Sequence, residues 1–388
     1  MSRIKSYYED ALEEPPVTVE GEQAPVLDDT KRLAEVLDQS PEDVTRVLAL
    51  VDGLEAFPAP PPFMDYEPLL PDVSLEGFMD TVETLWQRIK DWLRRLREWF
   101  RSEGMMVHAS VQTLLYQVRN LEVAIKGSTR VGRRGTFDVG GNLRSISVFY
   151  KPPKDISALT ASLRMLHSVG QSYFDYLDNV VIPGVGRIAS RIRMIEPGLN
   201  VAPLHEELTQ FLKDVAPERL RGPLRMAPIP NQPGKEGTLH LLGNQRLVFS
   251  GRQGNQMGDV LSQQLRLNHS EINPRPMPPS VLMPHFGRVA SNQCTEQTIR
   301  LLTLLETHTN QNAMRKRTTV LDSIESAMDG LMRRIERADS VQHKGMLEEV
   351  MQISRVLTDW LNNPYHGIVG AGVRASRGAA KVCRNNIA

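Results

Sequence analysis

Apolar residues recur at steps of three and four along residues 75–126, which is the spacing of one face of an α-helix. Basic residues occupy most of the opposite face in the first half of this stretch. Because Gly104 is typical of a helix end, the pattern predicts one amphipathic helix over about 75–103 and a second over 105–126. The first of these helices carries three tryptophans, Trp86, Trp92 and Trp99.

The same period predicts further helices over 155–181 and 203–215, the first with Asp155 as its N-cap. Apolar and polar residues alternate over 143–150, and this stretch is rich in β-forming residues. We therefore expect a β-strand there, ended by the prolines that follow it.

Residues 222–290 differ in character, because prolines and glycines separate short alternating stretches. Within them TLHLLGNQRLVFS, residues 238–250, predicts a hairpin that turns at Gly243 and Asn244. Three helical stretches follow within 291–365 and predict an antiparallel bundle.

Thr319 with Asp322 in the second of these stretches resembles a helix cap. Residues 366–388 are rich in glycine and alanine and carry four basic residues and no acidic residue, so they predict a basic flexible tail. The expected fold is therefore mainly α with a small β component (α+β), with helical bundles flanking a loop-rich β region.

Composition divides the chain into five segments, with a proline-rich linker at 57–72 marking the first boundary. They are an acidic, partly disordered N-terminal segment, a helical domain, a Pro/Gly-rich β region, a three-helix bundle and the basic tail. Their predicted bounds are 1–76, 77–221, 222–290, 291–365 and 366–388.

The formal net charge of zero conceals a strong asymmetry. Residues 1–76 contain 18 acidic and 5 basic residues, whereas residues 77–388 contain 28 acidic and 41 basic residues. The two parts thus carry −13 and +13. The basic part alone is expected to be attracted to polyanions, and the acidic part could mask it.

Motifs for catalysis are weak. GVGRIA, residues 184–189, matches a dinucleotide-binding fingerprint, but no strand–turn–helix unit is predicted around it, so we expect an inter-helix turn. Cys294 and Cys383 form no zinc-binding set, and their number favours synthesis in a reducing compartment. We expect no cofactor, no metal and no catalytic residues. An enzyme whose site assembles only in the folded chain stays an alternative.

Tryptophan beside arginine suits three partners: the protein's own core, a membrane surface or a polyanion. We expect the tryptophans to contact protein. The basic residues expected to contact DNA phosphate or acidic partners are Arg94, Arg95, Arg101, Arg130, Arg133 and Arg134. The alternative is a membrane-active or membrane-peripheral protein whose tryptophan helix lies among lipid headgroups, although no apolar run reaches the ~18 residues of a membrane span.

Residues Ser74, Leu75 and Glu76 form a Ser-x-Glu motif between the proline linker and the tryptophan helix. Together with the acidic segment, the Trp/Arg helix and SVFYKPPKDISAL at 147–159, this order resembles the internal head proteins of giant tailed bacteriophages. In that family a maturation protease removes an acidic propeptide by cutting after the glutamate of Ser-x-Glu. Ser-x-Glu also occurs at 40–42 and 323–325, and its position favours the site at Glu76.

The resemblance implies a non-enzymatic virion structural protein, synthesised in the host cytoplasm and packed in the head interior. It further implies proteolytic maturation after Glu76, with the protease and other virion proteins as partners. Removal of the acidic segment before DNA packaging would expose the basic body to packaged DNA.

Overall fold

A computed structural model of the chain describes residues 75–128, 135–139, 143–195, 201–251, 262–269, 281–338, 344–362 and 364–387. All of them belong to one compact unit, Ala59–Ala388. The acidic segment up to residue 74, including the proline linker, lies outside the described residues, so its predicted character stays a prediction.

The first helix, α1 (Leu75–Gly127), is continuous over 53 residues, so the predicted stop at Gly104 is wrong. At 1.5 Å per residue it is about 80 Å long. Gly104 is buried, and a Cβ built on it would lie 3.3 Å from Cε of Met314. The glycine therefore allows a close approach of another helix and does not end α1.

The described part of the chain has eight further helices: short α2 (Leu143–Ile146), α3 (Ile156–Tyr176), α4 (Ile182–Arg193), α5 (Ala202–Val215), α6 (Arg288–Thr309), α7 (Gln311–Ala338), α8 (Lys344–Asn362) and α9 (Tyr365–Ile387). Two 3₁₀ turns at Pro217–Arg219 and Gly222–Leu224 follow α5. The predicted N-cap of α3 is confirmed, because a carboxylate oxygen of Asp155 accepts a hydrogen bond of 2.8 Å from the amide of Ala158.

A π-helical turn, Leu177–Val181, joins α3 directly to α4. Pro183 lies in the first turn of α4, where its missing N–H group leaves no intrahelical hydrogen bond unmade. GVGRIA therefore lies inside a helix, and the predicted inter-helix turn is wrong.

Within the described residues, six short strands form two antiparallel sheets. Their bounds are β1 (Thr136–Asp138), β2 (Ala227–Pro228), β3 (Lys235–Gly237), β4 (Gln245–Ser250), β5 (Gln264–His269) and β6 (Leu282–Pro284). One sheet has the order β2-β3-β4-β5, and β1 pairs with β6 in the other, with Phe137 opposite Met283. The predicted turn at Gly243 and Asn244 is confirmed, because both residues have positive φ and β4 follows at once.

The strand predicted at 143–150 is wrong. Its first residues form α2, and Phe149 and Tyr150 adopt positive φ angles of 52° and 59° in a turn. The Asn244 side chain fixes this turn, since its Oδ1 accepts a 2.6 Å hydrogen bond from the amide of Tyr150. A contact distant in sequence thus overrides the local β preference.

α6 followed by α7 forms one long helical path, and two others run along it. α1 is antiparallel to α6 and α7 in succession, as the contacts Gln112–Glu306 and Trp86–Asp329 show. α3, the π turn and α4 run parallel to the same pair, with Asp178 beside Lys316 and an Arg334 guanidinium nitrogen 3.4 Å from the carbonyl of Ile192. The helices of the N-terminal half therefore pack on those of the C-terminal half.

α6 ends beside Asn310, which begins α7 by accepting a 2.9 Å hydrogen bond from the amide of Ala313. Thr319 and Asp322 lie inside α7, so the cap predicted there is wrong. The Thr319 hydroxyl instead donates to the carbonyl of Arg315. α7 therefore begins at Asn310, nine residues before the cap that was predicted at Thr319.

The basic flexible tail predicted at 366–388 is wrong, because α9 occupies it and buries most of its residues. A Cβ on Gly372 would lie 2.7 Å from a methyl carbon of Leu305, so α9 approaches α6 closely. Glycine and alanine, which suggested flexibility, here allow two backbones to pack together.

The fold class, mainly α with a small β component, is confirmed. The predicted boundaries at 221, 290 and 365 stay predictions, whereas the antiparallel bundle predicted within 291–365 is wrong, because α6 and α7 follow one another along α1 in the same direction. The described packing crosses these boundaries, since α6 packs mainly on α1, α3 and α9, and α7 mainly on α4 and α1.

We predict opposite effects for alanine at the two glycines of α4. A Cβ on Gly184 would lie 2.4 Å from the ring of Phe211, so Gly184→Ala should lower the free energy of unfolding by about 1–3 kcal/mol. A Cβ on Gly186 meets no neighbouring atom within 4 Å, so Gly186→Ala should raise it by about 0.5–1 kcal/mol. Urea unfolding followed by circular dichroism measures both. Equal effects of the two changes would contradict the packing described for α4.

Candidate polyanion-binding surface and its helical support

The tryptophan face of α1 packs against the protein itself. Trp86 is 2% exposed, and its indole N–H donates a 2.8 Å hydrogen bond to a carboxylate oxygen of Asp329 on α7. Trp99 is buried and meets the His366 ring of α9 edge-on, with the ring centroids 5.3 Å apart. The side chain of Trp92 lies outside the described residues. Two of the three predicted protein contacts are therefore made within this chain.

Part of the basic face of α1 is neutralised by α7. The Lys90 ammonium group lies 2.7 Å from the same Asp329 carboxylate and 5.5 Å from the Trp86 ring centroid. Arg97 pairs with both Asp322 and Glu325, which raises the pKa of its guanidinium group despite partial burial. These half-exposed pairs orient α1 on α7 more than they stabilise it.

Among the six arginines predicted to meet polyanions, the structure describes the side chains of two. Arg94 is exposed and pairs with Asp91 on its own helix at 3.0 Å. Arg95 is exposed as well. Arg101 lies on α1, but its side chain is outside the described residues, as are Arg130, Arg133 and Arg134 entirely. The structure therefore brings no predicted cluster of arginines together within its described part.

A basic surface that the sequence analysis did not identify lies on α9. Arg374, Arg377, Lys381 and Arg384 follow one another at steps of three and four, which places them within about 80° of the helix circumference. We call these four residues the α9 ridge. Arg374, Lys381 and Arg384 are exposed and Arg377 is half-buried, whereas most other residues of α9 are buried.

The α9 ridge contains every charged residue of its helix, because α9 has no aspartate or glutamate. A Cβ built on Gly370 would lie 3.1 Å from a guanidinium nitrogen of Arg374, so that side chain folds back over the glycine. The spacing of the ridge was visible in the sequence. It was missed because glycine and alanine around it favoured a flexible tail.

A buried arginine lies where α6 ends, α7 begins and α9 starts. Arg317 is 1% exposed, its guanidinium carbon is 3.4 Å from the Tyr365 ring centroid, and it donates a 3.3 Å hydrogen bond to the carbonyl of His308. The Tyr365 hydroxyl donates to the same carbonyl at 3.0 Å. A cation suits this place, because carbonyls at a helix C-terminus carry partial negative charge.

The last turn of α3, just before the π turn, lies beside this meeting point of α6, α7 and α9. The rings of Phe174 and His308 stack with centroids 4.2 Å apart. The neighbouring hydroxyl of Tyr173 is fully enclosed, and burial raises its pKa. The irregular turn of one helical path thus lies beside the break between the two helices of the other.

His366, in the first turn of α9, is buried between helices. Burial, helped by the positive charge of Arg374, lowers the pKa of its imidazole from 6.5 to about 4. The ring is therefore neutral at pH 7 and packs on Trp99 as an aromatic side chain.

The described part of the chain shows neither a candidate metal site nor a candidate membrane-spanning helix. No three His, Cys, Asp or Glu side chains there group in a way that could hold a metal ion. No helix in the described ranges is long and apolar enough to cross a membrane. Comparison with protein families, with curated proteins and with solved structures gave no match for this chain.

We predict that His366 makes the fold sensitive to mild acid. Above pH 6.5 the ring is neutral in the folded and unfolded chain, so it adds no pH dependence. Between pH 6.5 and about 4 only the unfolded chain binds the proton, so the free energy of unfolding should fall as pH falls, on the order of 3 kcal/mol in total. Urea unfolding at several pH values measures this decrease.

The matched variant is His366→Asn, which cannot bind this proton. Its loss of stability with acid should be smaller than that of the unchanged chain, although not zero. His108, His167 and His308 keep contributing, since burial lowers the pKa of each. The same slope in both proteins would show that His366 is protonated equally in the folded and unfolded states.

Proposed function

We propose that this chain is a non-enzymatic structural protein of a phage virion, which contacts nucleic-acid phosphate through its basic body in the head interior. In this proposal it is synthesised in the host cytoplasm with an acidic N-terminal segment. The maturation protease removes that segment after Glu76, and the remaining partners are DNA and other virion proteins.

The observation that carries the proposal is the α9 ridge. Its helix is otherwise packed into the core, so the surface that it offers outside is almost entirely cationic. Arginine pairs well with phosphate oxygens, and a helical row of basic residues about 15 Å long can face several phosphates. Nothing in such a row selects a base sequence, which suits contact with packaged DNA of any sequence.

Charge supports the same proposal. The segment 1–76 carries −13 and the rest of the chain +13, so the acidic segment can compete with nucleic acid for the basic surface. Its removal would convert a neutral chain into a strongly basic one. The exposed Arg94 and Arg95 on α1 would then add to the attraction.

The position of the cleavage motif is compatible with this order of events. Leu75 and Glu76 are the first two residues of α1, whereas Ser74 lies outside the described residues. Helix ends open more easily than helix centres, so a protease needs to unwind only the first turn. Cutting after Glu76 would shorten α1 by two residues and leave the contacts from Trp86 onward in place.

We expect the chain beginning at Gly77 to bind mixed-sequence duplex DNA with an affinity that falls steeply with salt. The double variant Lys381→Gln/Arg384→Gln should lower the slope of log K against log salt by about 2, because each lost phosphate contact removes about 1. Fluorescence anisotropy of labelled DNA at several salt concentrations measures the slope.

The control is Arg187→Gln/Arg300→Gln, which removes the same charge from exposed arginines paired with Glu207 and Glu296. It should change the slope by much less than the ridge variant. Equal slopes for the two variants would show that the affinity for DNA depends only on the total charge of the protein. Binding to neutral phospholipid vesicles in place of DNA would favour the membrane alternative.

A further inference from the structure

Both cysteines of the chain are fully buried and face one another across two helices. Cys294 lies in the second turn of α6, and Cys383 lies in the last turns of α9. The neighbouring Cys294 thiol, together with burial, raises the pKa of the Cys383 thiol well above its ordinary value. The two cysteines therefore form a pair of neighbouring reduced sulfurs, although 89 positions separate them in the sequence.

The packing around this pair explains the contact. α9 runs antiparallel to α6, since Gly372 meets Leu305 and, eleven residues further along each helix in opposite directions, Cys383 meets Cys294. Small residues on α9 bring the two backbones close together, as the 2.7 Å approach at Gly372 shows. Close helix packing is what a disulfide needs, because its Cβ atoms must lie about 3.5–4.5 Å apart.

The surroundings also hold the α9 end in place. The Asn386 side chain, one turn beyond Cys383, accepts a 3.0 Å hydrogen bond from the amide of Phe286 and donates one of 3.0 Å to its carbonyl. The same asparagine lies 3.4 Å from the hydroxyl of Ser291, in the turn of α6 before Cys294. The two sulfurs are thus kept side by side by polar contacts on the same two helices.

We propose that Cys294 and Cys383 are a disulfide-forming pair, which closes after the folded chain leaves a reducing compartment and covalently joins α9 to α6. The bond would fix the helix that carries the α9 ridge. This proposal does not depend on the proposed virion function, since it follows from the position of the two sulfurs alone.

The chemistry balances with a small-molecule disulfide such as oxidised glutathione as the oxidant. One cysteine thiolate attacks a glutathione sulfur and releases one glutathione thiol, which gives a mixed disulfide. The second cysteine thiolate then attacks the protein sulfur of that mixed disulfide and releases the other glutathione thiol. Two protein thiols lose two protons and two electrons, and the oxidant becomes two thiols. Local opening at the end of α9 admits the oxidant.

The test incubates the full-length folded chain with oxidised glutathione and then digests it with trypsin without reduction. We expect the peptides VASNQCTEQTIR (289–300) and VCR (382–384) to appear joined, with the mass of two hydrogen atoms missing. We also expect the oxidised chain to melt about 5–10 °C higher than the reduced chain, and reductant to reverse the shift.

Two serine variants keep the test decisive. Cys383→Ser and Cys294→Ser each remove the joined peptide, and glutathione should not raise the melting temperature of either. The proposal is overturned if the folded chain keeps both thiols free, if it carries glutathione on both cysteines, or if the joined peptide forms only after unfolding in urea.

Discussion

The guanidinium group of Arg317 is enclosed by the protein, and the helices that meet around it depend on its contacts. It donates to the His308 carbonyl at the end of α6 and lies over the Tyr365 ring at the start of α9. One of its nitrogens is 3.9 Å from the sulfur of Met314, which itself fills the space above Gly104 on α1. A buried cation must keep such partners, because water cannot replace them. Arg317 thereby links α7 to α6 and α9, and Met314 links the same helix to α1.

The contacts around Arg317 hold the start of the C-terminal helix, α9, in place. α9 can occupy the interior because Gly372 lets it approach α6 closely, and its start is held at Tyr365 by Arg317. Once the helix is held there, its charged residues lie on the remaining open side. The α9 ridge is therefore a consequence of how α9 is buried, and a surface held on a rigid helix keeps its charges at fixed spacing.

The helix period was enough to predict most of the helical stretches and the fold class, and turn chemistry located Gly243 and Asn244. Three of the errors, the stop at Gly104, the turn at 184–189 and the flexible tail, share one physical cause, which is that glycine was treated as a sign of a break or of flexibility. Gly104, Gly184 and Gly372 instead lie inside helices where a neighbour comes too close for a side chain. The α9 ridge and the junction at Arg317 depend on such contacts between distant parts of the chain. Local pattern could not reveal them, although the helix period did place Trp86 and Trp99 on the apolar face of α1, which packs within the chain.

In the function that we propose, an acidic segment is removed from this chain to leave a basic structural protein. The intact mass and N-terminal sequence of the protein isolated from purified native particles would test this removal. We expect a chain that begins at Gly77, with residues 1–76 and their charge of −13 missing. A full-length chain in those particles would contradict it, and would leave a helical protein whose acidic and basic parts function together.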